Sequence, residues 1–326
     1  MSVILNGRTD LELPAVRVMR SAIDTGDGGT PRQRQLLTLL IHSFVRLPDL
    51  DIDELAPITP MEVAEIFDDE VAARRLRMLL VLFEVLRSPE TREQVALVDG
   101  YAFALGGDDE GLRLIRGMVQ DETETAIEHL RMVWDEGRDS VSEQTVLARY
   151  DAIDDAIEDP ELAARLRALR DLPRGTLGRE YIEFYLQNGF QIPGEGVTHP
   201  AFFVQHDMSH LLAGIGPTAP GELALSAFQV GMLENEAHWT QFLLGLTLYE
   251  LGTYEGTIVE AKSQVLSRDG AIELLVESFQ RGAKCVENYN DVSLLSLADQ
   301  SIDDLRTRFG IAPPRDPFPE FTVVTA

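Results

Sequence analysis

Four short segments set the terms for this chain: Thr30-Pro31-Arg32-Gln33, Thr59-Pro60-Met61-Glu62, Ser88-Pro89-Glu90 and Asp159-Pro160-Glu161. Each reads as a helix start. A side-chain oxygen can accept from the free N–H groups of a first turn, and proline stands where its missing N–H costs nothing. Gln33 and Glu62 add the third-position residue of a capping box. Behind such starts run Leu36, Leu37, Leu40 and Phe44, and Leu76, Leu79, Leu80 and Phe83, both at helical period. No alternating run and no hairpin signal breaks the pattern, so the expected fold class is all-α. The only candidate strand is the apolar tail, Phe321 to Val324.

The texture predicts an N-terminal helical bundle followed by a second helical domain. Gly137-Arg138-Asp139-Ser140 interrupts the first pattern, and a polar stretch follows as far as Arg170. The expected domains are therefore 1–137, connecting helices over 138–170, and 171–326. The acidic loops around Asp49–Asp51 and Gly106–Glu110 could hold calcium, although such runs are more often solvated turns. The chain carries 28 Lys+Arg against 55 Asp+Glu, a formal net charge of −27. That balance repels phosphate backbones and argues against nucleic acid as a partner. It also disfavours an anionic membrane surface, so any lipid must be held by apolar contact. The single cysteine, Cys285, excludes an intrachain disulfide and a cysteine-rich zinc site, as suits a reducing cytoplasm. Met1 to Arg20 lacks the pattern of a signal peptide, and no apolar run approaches the ~18 residues that span a bilayer.

Four of the six histidines, His199, His206, His210 and His238, fall in one region. His206 and His210 are four apart, so on a helix their side chains lie one above the other. That spacing lets a divalent ion take two imidazoles from one rigid element. Asp207 can reach the same edge. Gly214, Gly216, Pro217 and Pro220 then stop the helix, and a new one begins near Glu222. A tight turn between antiparallel helices would bring Glu222 back toward His210. Two imidazoles and two carboxylates suit zinc first, with magnesium, manganese or iron as further choices. Taken singly, each residue has an ordinary structural explanation: a surface histidine pair, a turn cap, a first-turn carboxylate.

His206-Asp207-Met208-Ser209-His210, eleven residues, then Glu222, matches H-D-x-x-H-x(11)-E. This resembles the signature of the coenzyme Q (ubiquinone) biosynthesis protein 4 family. Leu172-Pro173-Arg174-Gly175-Thr176-Leu177-Gly178-Arg179-Glu180-Tyr181 is similar to the family's segment before the metal helix. Gly214-Ile215-Gly216-Pro217-Thr218 is similar to its turn, and Leu305-Arg306-Thr307-Arg308-Phe309-Gly310-Ile311 to its C-terminal motif. The likeness covers about Glu161 to Pro313. It implies that the second domain is a helical metal- and lipid-binding domain with a metal site at His206, Asp207, His210 and Glu222. It also implies action on, or presentation of, a prenylated hydroxybenzoate precursor, whose ring carboxylate is removed and replaced by hydroxyl. Arg179 is then a candidate for the charged head of the substrate. Phe202, Phe203, Leu211, Leu212, Phe228, Met232 and Leu233 are candidates for its tail, against the plainer reading of core packing. The N-terminal half resembles the tellurite-resistance B-type helical domains.

Three functions stay open at this stage. The first is a metal-dependent decarboxylase of quinone biosynthesis, cytoplasmic or peripheral to the inner membrane, with other quinone-biosynthesis proteins as partners and a homodimer as one arrangement. The second is a non-catalytic carrier of prenyl lipid or metal on the same fold. The third is a metal-dependent hydrolase, for which Asp207 stands where proteases with H-E-x-x-H carry glutamate.

Overall fold

The computed structural model describes residues 5, 7–45, 50–87, 91–107, 156–198, 200–233, 236–252 and 262–314. The fold is all-α. Two compact units comprise Met1–Leu130, Leu243–Tyr254 and Ala261–Gln280, and Arg131–Phe242, Glu255–Glu260 and Arg281–Ala326. The boundary zone expected at 138–170 falls largely outside the described residues, as do Gly137-Arg138-Asp139-Ser140, Asp49, Asp108 to Glu110 and the tail Phe321 to Val324.

In the first unit, α1 spans Glu12–Ile23, α2 Pro31–Phe44, α3 Pro60–Ile66, α4 Glu70–Val85 and α5 Arg92–Ala104. Capping boxes open α2 and α3. The Thr30 and Thr59 hydroxyls accept from the Gln33 and Glu62 amides, and the Gln33 and Glu62 side chains accept in return from the cap amides at 2.9 and 2.7 Å. Ser88-Pro89-Glu90 lies outside the described residues, and Thr91 caps α5. Leu36, Leu37, Leu40 and Phe44 are buried, as are Leu76, Leu79, Leu80 and Phe83.

Gln33 does more than cap. Fully buried, it donates to the Phe83 carbonyl at 2.8 Å and to the Gln94 side chain at 3.0 Å. Gln94 in turn donates to the Ala22 carbonyl. One polar chain thus ties α1, α2, α4 and α5 inside an apolar core. The later segments of this unit join α2: Arg32 pairs with Glu250 of the π-helix Thr247–Leu251 at 2.8 Å, and Phe279 lies 5.1 Å from Phe44, centroid to centroid. Asp51 and Asp53 are engaged locally, Asp51 by the Asp53 amide and Asp53 by Arg34 at 2.8 Å.

In the second unit, β1 (Ala156–Glu158) pairs antiparallel with β2 (Glu195–Thr198). This corrects the expectation of no strand here. Segments of three and four residues are too short to show alternation, and the turn beside them depends on Gly194, at φ 95°. A Cβ there would stand 2.5 Å from the Asp159 carbonyl. Between the strands lie α6 (Pro160–Ala168), capped by Asp159, and α7 (Leu177–Asn188), which stops at left-handed Gly189. Then come α8 (Pro200–Ala213), α9 (Ala219–Met232), α10 (Glu236–Leu246), whose last residues belong to the first unit, α11 (Ala271–Gly282), which belongs to the first unit up to Gln280 and to the second from Arg281, and α12 (Ile302–Phe309). The start of α7 is stitched to the residues before α12. Leu177 N–H donates to Gln300 O at 2.9 Å, Gly178 N–H to Ala298 O at 2.7 Å and Ile302 N–H to Gly175 O at 2.9 Å. A Cβ at Gly178 would lie 2.8 Å from that of Ala298, so only glycine fits this contact. Among the described residues, no helix is long and apolar enough to cross a membrane.

Gln33→Met should cost the first unit on the order of 2 kcal/mol or more, because it strands a buried carbonyl and a buried amide. Met61→Ala, at a side chain 74% exposed, should change stability by about 0.5 kcal/mol or less. Denaturant unfolding followed by helical circular dichroism compares the two.

Candidate metal centre

The site is built where α8 ends. An α-helix leaves its last four carbonyls without intrahelical partners, here those of His210, Leu211, Leu212 and Ala213. Gly214, at φ 66°, turns the chain left-handed, and the Ile215 amide donates back to the His210 carbonyl at 3.1 Å. Arg306 of α12 donates to Leu212 O at 3.0 Å and to Leu211 O at 2.9 Å. Arg281 of α11 donates to Ala213 O and, at 2.9 Å, to Ala312 O. The Gly214 amide also donates to Leu211 O at 3.3 Å, so all four carbonyls are satisfied, with two cations among the donors at the negative end of the helix dipole. Nearer the middle of α8, Gln205 accepts from the Leu294 amide at 2.9 Å and donates to Val292 O at 3.2 Å.

The turn to α9 is equally constrained. Thr218 caps α9, accepting from Gly221 N–H, and the Glu222 amide donates to the Thr218 carbonyl at 2.8 Å. A Cβ on Gly221 would stand 1.9 Å from the Gly216 carbonyl oxygen. Glycine at 221 therefore lets the turn close tightly enough to return Glu222 over α8.

Ligand-type atoms of His206, His210 and Glu222 lie within 4.8 Å of one another, the one such group among the described residues. Glu222 Oε2 is 2.9 Å from His206 Nε2, Glu222 Oε1 is 3.2 Å from His210 Nε2, and the two Nε2 atoms are 3.2 Å apart. The fully buried His210 ring has its Nδ1 3.0 Å from the Ile215 carbonyl, which can only accept. That bond assigns the proton to Nδ1 and leaves a lone pair on Nε2, aimed at a carboxylate oxygen. Two lone-pair groups at that distance repel unless a cation, a proton or a metal ion, lies between them. Burial alone would raise the carboxyl pKa of Glu222; positive charge on the imidazole side, at His210 before His206, outweighs it and holds it well below the usual range.

Asp207 is placed differently. It is buried, and its Oδ2 accepts from the Tyr185 hydroxyl of α7. Burial raises its carboxyl pKa, while His206, His210 and the Tyr185 bond pull the other way without cancelling that rise. Tyr185 had no signature in the sequence, lying 22 residues from its partner on another helix. Arg179 is engaged by Glu183 at 2.8 Å and by the Arg170 carbonyl. Phe203 is half-buried on α8, one turn before His206. Leu211, Leu212 and Phe228 are core residues, Met232 is half-buried and Leu233 exposed. His199 and the side chain of Phe202 lie outside what is described. His238 stands apart from the centre, between Leu233 O at 2.6 Å and Asn290 Nδ2 at 3.0 Å.

No protein-family model matches the chain, and no curated protein matches it. Among solved structures it is similar to a protein from Nostoc punctiforme named for ubiquinone biosynthesis. The two are 17% identical, with a TM-score of 0.37, over 62% of this chain and 95% of the other.

Gly221→Ala should displace Glu222 and scatter the three-residue cluster. Arg306→Gln, which removes a charged cap, should destabilise the unit by about 1–3 kcal/mol. Thermal unfolding, with metal content for the glycine variant, checks both. His238 yields a pH prediction. Burial lowers its pKa from 6.5, so the fold prefers the neutral ring. The stability it contributes is complete above about pH 6.5 and is lost as pH falls through the folded pKa, by at most about 1.4 kcal/mol per pH unit. The gap in unfolding free energy between wild type and His238→Gln should narrow over that window.

Proposed function

We propose that this chain is a metal-dependent protein of ubiquinone biosynthesis that removes the ring carboxylate of a prenylated hydroxybenzoate, hydroxyl taking its place. The observation that carries the reading is the convergence of His206 Nε2, His210 Nε2 and the Glu222 carboxylate, with the His210 lone pair turned inward, on the residues of the H-D-x-x-H-x(11)-E signature. Two imidazole nitrogens and a carboxylate fit a borderline divalent ion, zinc first, then magnesium, manganese or iron. When bound, such an ion supplies the positive charge that holds an aromatic carboxylate and offsets negative charge as it develops.

The protein's own residues do the rest. The Ile215 carbonyl keeps the His210 ring oriented. Side-chain exposure of 22% at Glu222 and 11% at His206, against none at His210, leaves the His206–Glu222 side for the substrate. Arg179 is committed to Glu183 and to the Arg170 carbonyl, so head-group binding falls to the centre itself. The tail is met by Phe203, Met232 and Leu233, since Leu211, Leu212 and Phe228 are committed to the core. Each buried methylene contributes about 0.8 kcal/mol, so part of an isoprenoid tail supplies most of the affinity. The substrate is membrane-derived, which makes the protein a peripheral visitor to the membrane beside other quinone-biosynthesis proteins. Carbon dioxide leaves and the ring carbon is oxidised by two electrons, so the reaction needs an oxidant, for which molecular oxygen is supplied in the test.

Purified protein should hold about one divalent ion per chain, and the double variant His206→Ala, His210→Ala should hold none. Equal metal content in both ends this reading. Wild type should also bind prenylated hydroxybenzoate and, with metal and oxygen, release carbon dioxide. The double variant should retain much of the binding and lose turnover. Binding without turnover by the loaded wild type identifies a carrier instead.

A further inference from the structure

Two helices claim two faces of α8. His206 and His210 lie one above the other and meet Glu222 at the start of α9. Asp207 is one residue beyond His206, about 100° around the helix, and meets α7. There the Tyr185 hydroxyl donates to its Oδ2. Tyr185 is itself fixed, 3% exposed, with its ring centroid 4.7 Å from that of Tyr181, 5.9 Å from Phe184 and 5.8 Å from Phe190. Among the described residues the ligand-type atoms that converge are those of His206, His210 and Glu222, and Asp207 is not in the group.

We infer that Asp207 is not a ligand of the ion but a neighbouring carboxylate anchored by Tyr185, and that Tyr185 is a positioning residue of the centre. The inference rests on the metal-centre reading above and divides its four residues into three ligands and one that acts beside them. The physical reasons are two. The Asp207 carboxylate is held on the α7 side by a buried phenol and lies outside the group of converging atoms, so ligation would require it to swing away from α7 toward α9. A set of three protein ligands also leaves a coordination position open, the arrangement of catalytic rather than structural zinc sites. Anchored by Tyr185, Asp207 contributes negative charge next to the two imidazoles without filling that position. A carboxylate held by an outer hydrogen bond tunes a centre's affinity; it does not create the centre.

The test reads metal stoichiometry, affinity and the absorption spectrum of the cobalt(II)-loaded protein, so it does not depend on turnover. His210→Ala and Glu222→Gln should bind no cobalt. Asp207→Asn and Tyr185→Phe should each still take about one ion per chain, with affinity weakened roughly 10–100-fold and the cobalt bands shifted. The double variant Asp207→Asn, Tyr185→Phe should be little worse than either single one, because the pair acts as a unit. Loss of cobalt by Asp207→Asn as complete as that of His210→Ala overturns the inference. So does a Tyr185→Phe variant with unchanged affinity and spectrum. If Tyr185→Phe fails to fold, judged by helical circular dichroism, the stoichiometry of Asp207→Asn decides alone. A wild type that takes up no cobalt instead overturns the metal centre, and the inference with it.

Discussion

The second unit depends on how α8 is brought to an end. A helix that stops in a protein interior leaves four carbonyl oxygens that water cannot reach. Here one is taken by the amide beyond a left-handed glycine and the others by two arginines from later helices. That solution also builds the centre. The same Ile215 whose amide closes the helix offers its carbonyl to His210 Nδ1, so the residue that terminates α8 also selects the tautomer of its last histidine. Helix termination and the orientation of the His210 ring are one event. A change that loosens the cap should disturb the ring even though it touches neither histidine.

The site therefore has an asymmetric environment. Toward α9 the α8 surface is a close group of nitrogen and oxygen lone pairs. Toward α7 it is a carboxylate held by a phenol in an aromatic wall of Tyr181, Phe184 and Phe190. Adjacent positions 206 and 207 thus answer to different neighbours. The electrostatics follow the division: Glu222 is held ionised by imidazoles, whereas burial dominates Asp207.

What the sequence made legible was local. The caps at Thr30, Thr59 and Asp159 act within four residues, and the histidine pair and its returning glutamate span sixteen. Turn chemistry and helical spacing are enough at that range. Tyr185 was invisible because spacing places Asp207 near the histidines without saying which neighbouring helix takes its carboxylate. Arg281 and Arg306 act across 68 to 95 residues, where no periodicity reaches. The strands at 156–158 and 195–198 were too short for alternation to register. Residues 243–254 and 261–280 join the first unit through contacts such as Arg32–Glu250 and Phe44–Phe279, which leave no mark on local composition. Resemblance filled part of the gap: the segments around 172–181 and 305–311 stood out together, and backbone hydrogen bonds join the first to the approach of α12.

The closeness of the three converging residues along the chain has a kinetic consequence. Closing a short loop costs little chain entropy and takes well under a microsecond, whereas contacts between distant segments form late. The hairpin of α8 and α9 can therefore bring His206, His210 and Glu222 together while the arginines that finish the helix are still unplaced. An ion captured at that stage would act as a clamp on a nascent hairpin, biasing the order in which the unit assembles.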